Sequence, residues 1–443
     1  MRPADMGKRA GGRLKPRLGG GVSRREACLC RLPELDSPVR AGGLCGPARA
    51  SQARLQSPAD LTRALSPWAA ALIVAAAGAR SLARYQALPE ALPIPLAADT
   101  PPLDVALGAP LVSIIVPARN EARTLSTLLP SLLQQDYPRL EVIAVDDAST
   151  DDTAAIAAHW AARDPRLRVI RCAGPPPGWT GKSAACWQGA QAARGDWLLF
   201  TDADTCHAPA ALRSALALAA REHACAISLL PRQRCEGFWE RLLLPFAYQS
   251  YFVGVNTHAL RRPATPALAN GQYYLISRAA YAAAGGHAVI AHSVIDDVAL
   301  AGALKRAGYP TLVARGETLV SVRMYESFGA LAQGFTKNTA QFVRAQRGAG
   351  ALVALATAAS AVTIPTLLSR AARGDALGAS GALAAWLAAG WTLAPWARRF
   401  GVRRRYLPLA PLAALVFTGV ALTSFAHVLL RWPVRWKGRS LAP

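Results

Sequence analysis

No two of the eight cysteines have two residues between them, and only Cys28 and Cys30 are near neighbours. Zinc ribbons and disulfide frameworks depend on such spacings, so neither is indicated, and reduced thiols facing the cytosol are expected. Acidic residues are scarce. Twenty-seven Asp and Glu stand against 50 Lys and Arg, for a formal net charge of +23. Charged residues make up only 17% of the chain and hydrophobic ones 52%, which is apolar for a soluble enzyme and points to membrane segments. The positive excess suits nucleic acid or an anionic membrane surface. Basic residues interleaved with aromatics, the pattern that stacks bases, are missing, so no nucleic acid is expected as a partner. The seven histidines form no metal motif and read as structural or surface residues. Residues 1–57 lack the apolar centre of a secretory signal. They hold twelve Lys or Arg against four acids, with many Gly and Pro and no periodicity. A disordered basic tail over 1–60 is the expectation.

Four uncharged apolar runs are present. The first, residues 64–79, lies between Arg63 and Arg80 and is short for a span; it reads as a short N-terminal membrane segment over 64–84. Residues 348–369, 376–397 and 406–430 are each long enough to cross a bilayer, which takes about 20 residues. Transmembrane helices are therefore expected over 348–430, followed by a basic tail over 431–443. The runs are rich in Ala and Gly, so buried core helices are the competing reading.

Between residues 111 and 323 the pattern changes to alternating strands and helices. "LVSIIV", "LEVIAV", "LRVIR" and "WLLF" are strands, and the segments between them have helical spacing. Continuous aliphatic strands in such alternation imply a mostly parallel sheet covered by helices on both faces. Ligands of these sheets bind beyond the carboxyl ends of the strands. "PARNE" follows the first strand with Pro117, Asn120 and Glu121, "VDDAST" the second with Asp146 and Asp147, and "TDADT" the fourth with Asp202 and Asp204. Four carboxylates on one sheet edge repel one another unless cations or hydrogen-bond donors balance them. Hard oxygen ligands suit Mg²⁺ or Mn²⁺, which in turn suit a diphosphate. A third pair, Asp296 and Asp297 in "SVIDDVALAGALKRAGY", opens a helix, where it either complements the dipole or joins a site.

Two other enzyme motifs are approached and missed. "DADT" is close to the Asp-x-Asp-x-Thr/Val of phosphatases and phosphotransferases, but Cys206 occupies the Thr/Val position. "GWTGKSAA" is close to the end of a phosphate-binding loop, yet Pro176 stands where its first Gly belongs, and proline offers no N–H. Lys182 in that stretch remains a candidate cation for a nucleotide diphosphate. A non-catalytic nucleotide-binding membrane protein is the third alternative.

"VSIIVPARNEARTLSTLLPSLLQQDYPRLEVIAVDDASTDDT" and "GDWLLFTDADT" resemble the opening and the metal-binding Asp-x-Asp of family 2 glycosyltransferases. "PPPGWTGKSAACWQGA", "NGQYYLISRAAYAAAGGH", "IDDVALA", "RMYESFGALAQGFTKN" and the terminal "WKGR" resemble the bacterial hopene-associated and carotenoid-type members, which glycosylate lipids. The resemblance implies a GT-A (Rossmann-like) domain over 108–325 followed by the C-terminal transmembrane helices. It also implies a nucleotide-sugar donor, Mn²⁺ or Mg²⁺, and a membrane lipid acceptor such as a hopanoid or carotenoid. Asp147, with Asp146, matches the acid that contacts the base; Asn120, Glu121 and Pro117 lie beside that pocket. Asp202 and Asp204 match the metal motif, Asp204 being the more direct ligand. Asp297 matches the catalytic base, with Asp296 beside it. The Gln/Arg-x-x-Arg-Trp of processive members is replaced by "QFVRA", without the Trp, and Lys337 is the candidate for the diphosphate contact. A multi-pass inner-membrane protein with a cytoplasmic catalytic domain is the resulting expectation.

Phe328, Leu331, Phe335, Thr339 and Phe342 fall at three- and four-residue steps. An amphipathic helix over 326–347 lying on the membrane surface is expected from that stripe, with an ordinary core helix as the alternative. Deletion of residues 1–57 should leave membrane association and turnover unchanged, as measured by membrane fractionation and activity of the shortened chain.

Overall fold

The computed structural model describes residues 58–94, 109–260, 262, 266–345, 349–430, 432, 434–436 and 439–441. The basic stretch over 1–57 lies outside the described residues, as do 431, 433, 437, 438, 442 and 443 of the C-terminal one. The first element is a helix of 29 residues, α1 (Pro58–Gln86). Then β1 (Val112–Ala118), α2 (Ala122–Leu133), β2 (Leu140–Asp147), α3 (Thr153–Ala161), β3 (Leu167–Cys172), α4 (Gly181–Ala192) and β4 (Trp197–Phe200) alternate as the pattern requires. Pro130 sits inside α2 without ending it. The α/β part continues through β5 (Thr205–His207), α5 (Ala211–Arg221), β6 (Ala226–Leu230), β7 (Arg232–Gln233) and the long α6 (Phe238–Gly254). It closes with β8 (Tyr274–Ser277), α7 (Arg278–Ala283), α8 (Asp296–Arg306), β9 (Leu312–Arg315) and β10 (Val320–Val322).

Seven strands form one sheet in the order β3-β2-β1-β4-β8-β6-β9. Only β8 runs against its neighbours; the other pairings are parallel. The mostly parallel sheet read from the sequence is therefore present. Its central strands are buried on both faces, as continuous aliphatic runs demand. Ile114, Val116 and Val142 pack under α2 and α5 through Leu125, Leu128 and Leu212. Ile115, Ile143 and Val145 point the other way, toward Ala185 and Ala190 of α4 and Leu300 and Leu304 of α8. A small second sheet, β5-β10-β7, lies beside it.

The apolar C-terminal part is helical: α9 (Phe328–Ala345), α10 (Ala349–Ala361), α11 (Thr363–Ala372), α12 (Ala376–Arg399) and α13 (Ala410–Leu429), then the short hairpin β11 (Val434–Trp436) and β12 (Arg439–Leu441). Among the described residues, three stretches are long and apolar enough to cross a membrane: Leu65–Gln86, Ala376–Arg399 and Arg404–Leu429. The N-terminal run, short as read from its uncharged residues, thus belongs to a longer helix because Arg80 and Arg84 stay helical. The run over 348–369 is broken instead. Gly350–Ala361 and Thr363–Ala372 meet at a 44° bend, a broken span or a re-entrant turn.

The stripe on α9 is covered by protein rather than left for a membrane surface. Leu331 is fully buried, and Phe335 packs edge-on against Phe417 of α13, ring centres 5.6 Å apart. Ser424 Oγ of α13 donates to the Thr336 carbonyl at 2.5 Å. Phe328 lies on Trp239 at 4.6 Å and keeps an exposed edge; the side chain of Phe342 is outside the described residues. Among the described residues, α13 returns along α9 and packs on Phe335, while Phe328 keeps an exposed edge.

The edge of the sheet away from the strand carboxyl ends is closed by a polar cluster. Gly195, between α4 and β4, donates to Ser113 Oγ at 2.8 Å, and that hydroxyl donates to buried Glu141 at 2.6 Å. A Cβ on Gly195 would stand 2.6 Å from the Ser113 backbone nitrogen and 2.7 Å from the Leu111 carbonyl. Backbone cannot rotate away, so Gly195→Ala should destabilise the α/β part by about 1–3 kcal/mol, seen as a lowered midpoint in thermal or denaturant unfolding.

Candidate active site

β1, β2 and β4 are parallel neighbours, so the segments that follow them open on one edge. The first two are tied to each other by hydrogen bonds. The Arg119 guanidinium donates to the carbonyls of Asp147 and Ala148 at 2.6 and 3.0 Å. Asn120 Oδ1 accepts from the Thr150 N–H at 2.8 Å, and the Glu121 N–H donates to Thr153 Oγ1 at 2.7 Å. Asn120 and Ala148 both have positive φ, 53° and 51°, conformations that cost non-glycine residues free energy unless the surroundings hold them. Asp146 and Asp147 are buried at the end of β2, and Asp146 Oδ1 accepts from the Ser149 N–H at 3.1 Å. The Glu121 carboxylate accepts from Thr124 Oγ1 at 2.6 Å. Asn120 and Glu121 thus shape the loop itself.

The third segment is organised by Lys182. Thr180 caps α4 by accepting from the Ser183 N–H, which places Lys182 in the first turn. A cation at a helix N-terminus opposes the macrodipole. What offsets it is paired carboxylate: Lys182 Nζ is 2.7 Å from Asp202 Oδ1 and 3.5 Å from Asp296 Oδ2. Burial works against the ammonium, but Asp202 and Asp296 hold it well above the ordinary lysine range. Asp296 and Asp297 open α8, and Asp297 is fixed on both oxygens, by the Gly271 N–H at 2.8 Å and the Val298 N–H at 2.8 Å. Pro117, Lys182, Asp202, Gly271, Asp296 and Asp297 line one cleft. Lys337 of α9 contributes positive field to it, weakened by burial and by the like charge of Lys182.

The two adjacent aspartates divide. Burial opposes ionisation of Asp296, yet the Lys182 ammonium, with Lys337 behind it, outweighs it and holds its carboxyl below the usual range. Burial first, and the charge of Asp296 second, push Asp297 up to about 6. One stays ionised as a fixed counter-charge while the other sits where a proton can be gained and lost near neutrality, as acid–base catalysis requires.

Asp202 and Asp204 fit a hard divalent ion by donor type, since both offer oxygen alone from a turn after β4, with Asp202 partly exposed. A different cluster was not legible in the sequence: Cys186, His287 and Asp296 bring their ligand atoms within 4.8 Å of one another. It does not fit a metal. Burial, then the Asp296 charge, raises the Cys186 thiol well above its ordinary range, and the Lys182 ammonium already faces Asp296. His287 is kept neutral by burial, at about 4, and its Nδ1 pairs with the Tyr281 hydroxyl at 2.9 Å. It shapes the cleft floor together with Phe200 and Tyr274. His207 is structural, as expected, packed in a buried group with Thr201 and Thr205. Gly271 and Tyr274 lay within "NGQYYLIS", but nothing in that string says that the Gly271 amide meets Asp297.

Residues 113–279 match the family model described as Glycosyl transferase family 2. That stretch is thus similar to a family 2 glycosyltransferase domain. Similar curated proteins include 4,4'-diaponeurosporenoate glycosyltransferases of Staphylococcus haemolyticus (strain JCSC1435) and Staphylococcus aureus (strain MRSA252). The first is 33% identical over 233 residues, 52% of this chain and 61% of that one. The second is 33% identical over 234 residues, 51% of this chain and 60% of that one. The match thus spans about three fifths of the length of these relatives. Among solved structures, a mannosyltransferase of Pyrobaculum calidifontis in complex with GDP-Man and Mn²⁺ is 23% identical, with a TM-score of 0.47 over 80% of this chain and 97% of that one. The matched stretch spans the strands β1 to β8, and Tyr281, His287, Asp296, Asp297, Val298 and Lys337 follow it in the chain.

The elevated Asp297 sets a pH dependence. A base works ionised, so turnover should be full above the Asp297 value and fall as pH drops through about 6. Lys182→Met removes a charge that lowers the Asp297 value, so the acid limb of the kcat/KM profile should move to higher pH.

Proposed function

We propose that the protein is an inverting glycosyltransferase that moves a sugar from a nucleotide-sugar donor, UDP-linked in our reading, to a membrane lipid acceptor, using Mn²⁺ or Mg²⁺. The observation that carries this reading is the Asp296–Asp297 pair opposite Lys182 and Asp202 across one cleft at the carboxyl edge of the sheet. Asp147, with Asp146, Asn120, Glu121 and Pro117 beside it, forms the nucleotide pocket on the joined loops after β1 and β2. Lys182 and Lys337 balance the diphosphate. Asp202 and Asp204 would hold the divalent ion, which when bound neutralises the charge that develops on the leaving nucleotide. Asp297, fixed by the Gly271 and Val298 amides, takes the proton of the acceptor hydroxyl as its oxygen attacks the anomeric carbon from the face opposite the leaving group. A single displacement inverts the configuration and needs no Ser or Cys nucleophile. The family match favours this over a phosphatase or a non-catalytic nucleotide-binding protein.

The acceptor reading is supported by the apolar helices packed onto the catalytic part and by the relatives' printed name, which points to a carotenoid-type lipid. Arg398, Arg399 and Arg403 to Arg405 lie between α12 and α13, where Arg399 stands 3.7 Å from Glu317. Arg431, Arg435, Lys437 and Arg439 follow the other end of α13, so basic residues flank that helix on both sides and charge alone does not choose an orientation. A multi-pass inner-membrane protein with its catalytic domain in the cytoplasm is our reading, in keeping with a nucleotide-sugar donor.

The test uses full-length enzyme in lipid, a UDP-sugar, and either a hydroxylated polyisoprenoid or a free sugar as acceptor. Transfer should go to the polyisoprenoid and stop in excess EDTA. Asp297→Asn should lower kcat by about 10²–10⁴ with donor affinity kept, whereas Asp204→Asn should weaken donor binding. Equal transfer to the free sugar would defeat the lipid reading, and equal loss of donor affinity in both variants would defeat the division of roles.

A further inference from the structure

Arg398 of α12 and Arg403, Arg404 and Arg405 of the turn before α13 are all exposed. Among the described residues none of the four has a carboxylate within ion-pair distance, whereas Arg399 in the same stretch faces Glu317. A row of aromatic rings lies against this turn. Arg405 sits over the ring of Tyr406 at 5.7 Å. Phe238 stands 5.9 Å from Tyr406, Trp239 5.1 Å from Phe238 and Phe328 4.6 Å from Trp239, centre to centre. Phe238 and Phe328 keep 45% and 37% of their surface exposed. The acids in the segments that bring these rings are already engaged. Glu236 pairs with Arg234 at 2.7 Å and Arg323 at 2.8 Å, Glu240 with Arg323 at 3.2 Å, and Glu326 with Arg123 at 2.7 Å. Four uncompensated guanidinium groups therefore stand beside an exposed aromatic edge, and like charges so close call for an anion.

The position of the turn says which anion. It joins the candidate spans Ala376–Arg399 and Arg404–Leu429. Those helices expose Leu387, Trp391, Leu415 and Leu422, side chains suited to hydrocarbon rather than water. A turn between two spans lies at headgroup depth, where aromatic rings settle between water and acyl chains. A guanidinium matches a phosphodiester through paired hydrogen bonds. We propose that this surface is a headgroup site for an anionic phospholipid of the bilayer. Arg398 and Arg403 to Arg405 hold its phosphate, and the exposed edges of Phe238 and Phe328 lie along the start of its acyl chains. A zwitterionic headgroup would bring its own cation to the four arginines, so charge complementarity selects the anionic lipid. The proposal rests on α12 and α13 crossing a bilayer and is independent of the glycosyltransfer reading, since no residue of the proposed mechanism belongs to the surface.

The test titrates full-length protein in detergent micelles with phosphatidylglycerol and with phosphatidylcholine of the same acyl chains, bound lipid being counted by native mass spectrometry. Wild type should prefer phosphatidylglycerol. Each arginine near a lipid surface contributes about five-fold. Arg403→Gln, Arg404→Gln or Arg405→Gln alone should therefore lower the preference by about that factor, and the three together by on the order of 100-fold. The single variants keep the test open if the triple one does not fold. Arg163→Gln, Arg221→Gln and Arg306→Gln together remove the same charge from exposed positions on the α/β part and should leave the preference unchanged. Soluble glycerol 3-phosphate at the concentration of the lipid should not displace it. Equal binding of the two lipids, or equal loss of preference in both triple variants, would overturn the headgroup site while leaving the spanning helices in place. Displacement by glycerol 3-phosphate would make the turn a site for free anions and would overturn the lipid assignment. Binding of neither lipid would overturn the spanning helices and the site together.

Discussion

The cation of Lys182 is what lets the carboxylates of one sheet edge stay charged. Parallel strands deliver their following residues to one edge, and this chain puts aspartates there from three directions: the end of β2, the turn after β4 and the start of α8. Without a counter-charge such a cluster cannot stay ionised. Lys182, held against its own helix dipole, reaches Asp202 from one side and Asp296 from the other. It therefore joins the sheet to a helix more than a hundred residues away in sequence. The ionised Asp296 adds to burial in keeping Asp297 elevated, while the Lys182 ammonium pulls it back down.

α6 does the comparable work between the two halves of the molecule. Arg84 Nη1 of α1 donates to the Val253 carbonyl near its C-terminus at 2.9 Å, and Ser81 Oγ donates to the Gln249 carbonyl at 2.7 Å. Trp396 of α12 stacks on Phe252 with ring planes 16° apart. Tyr251 of the same helix turns toward the catalytic side, where burial and then the Asp297 charge push its hydroxyl up. The apolar helices are thus fastened to the element that passes beside Asp297, at the helix-terminal Val253 carbonyl, which would otherwise lack a donor, and at the Gln249 carbonyl.

The legible part of the site was the part set by strand register. "VDDAST" and "TDADT" each follow a strand, and the period of the strands fixes which edge their aspartates reach. Lys182 was legible as a cation in a glycine-bearing turn, though its partners were not. The Cys186–His287 floor and the Gly271 amide were illegible, because each joins segments separated by loops whose path no local pattern encodes. The stripe on α9 shows the converse. Its spacing predicts an apolar face correctly, but whether lipid or protein covers that face depends on where α13 returns.

By itself the sequence determined the strand–helix alternation, the parallel central sheet, the edge that carries the carboxylates and the presence of long apolar helices. These follow from short-range periodicity and from the chirality of strand–helix–strand connections, which leave few alternatives. Only the tertiary structure decided that Asp296 and Asp297 differ in acidity and that the run over 348–369 bends. Each of those depends on distances between groups far apart in the chain, and Coulomb and hydrogen-bond energies change steeply over the few ångströms that only packing fixes.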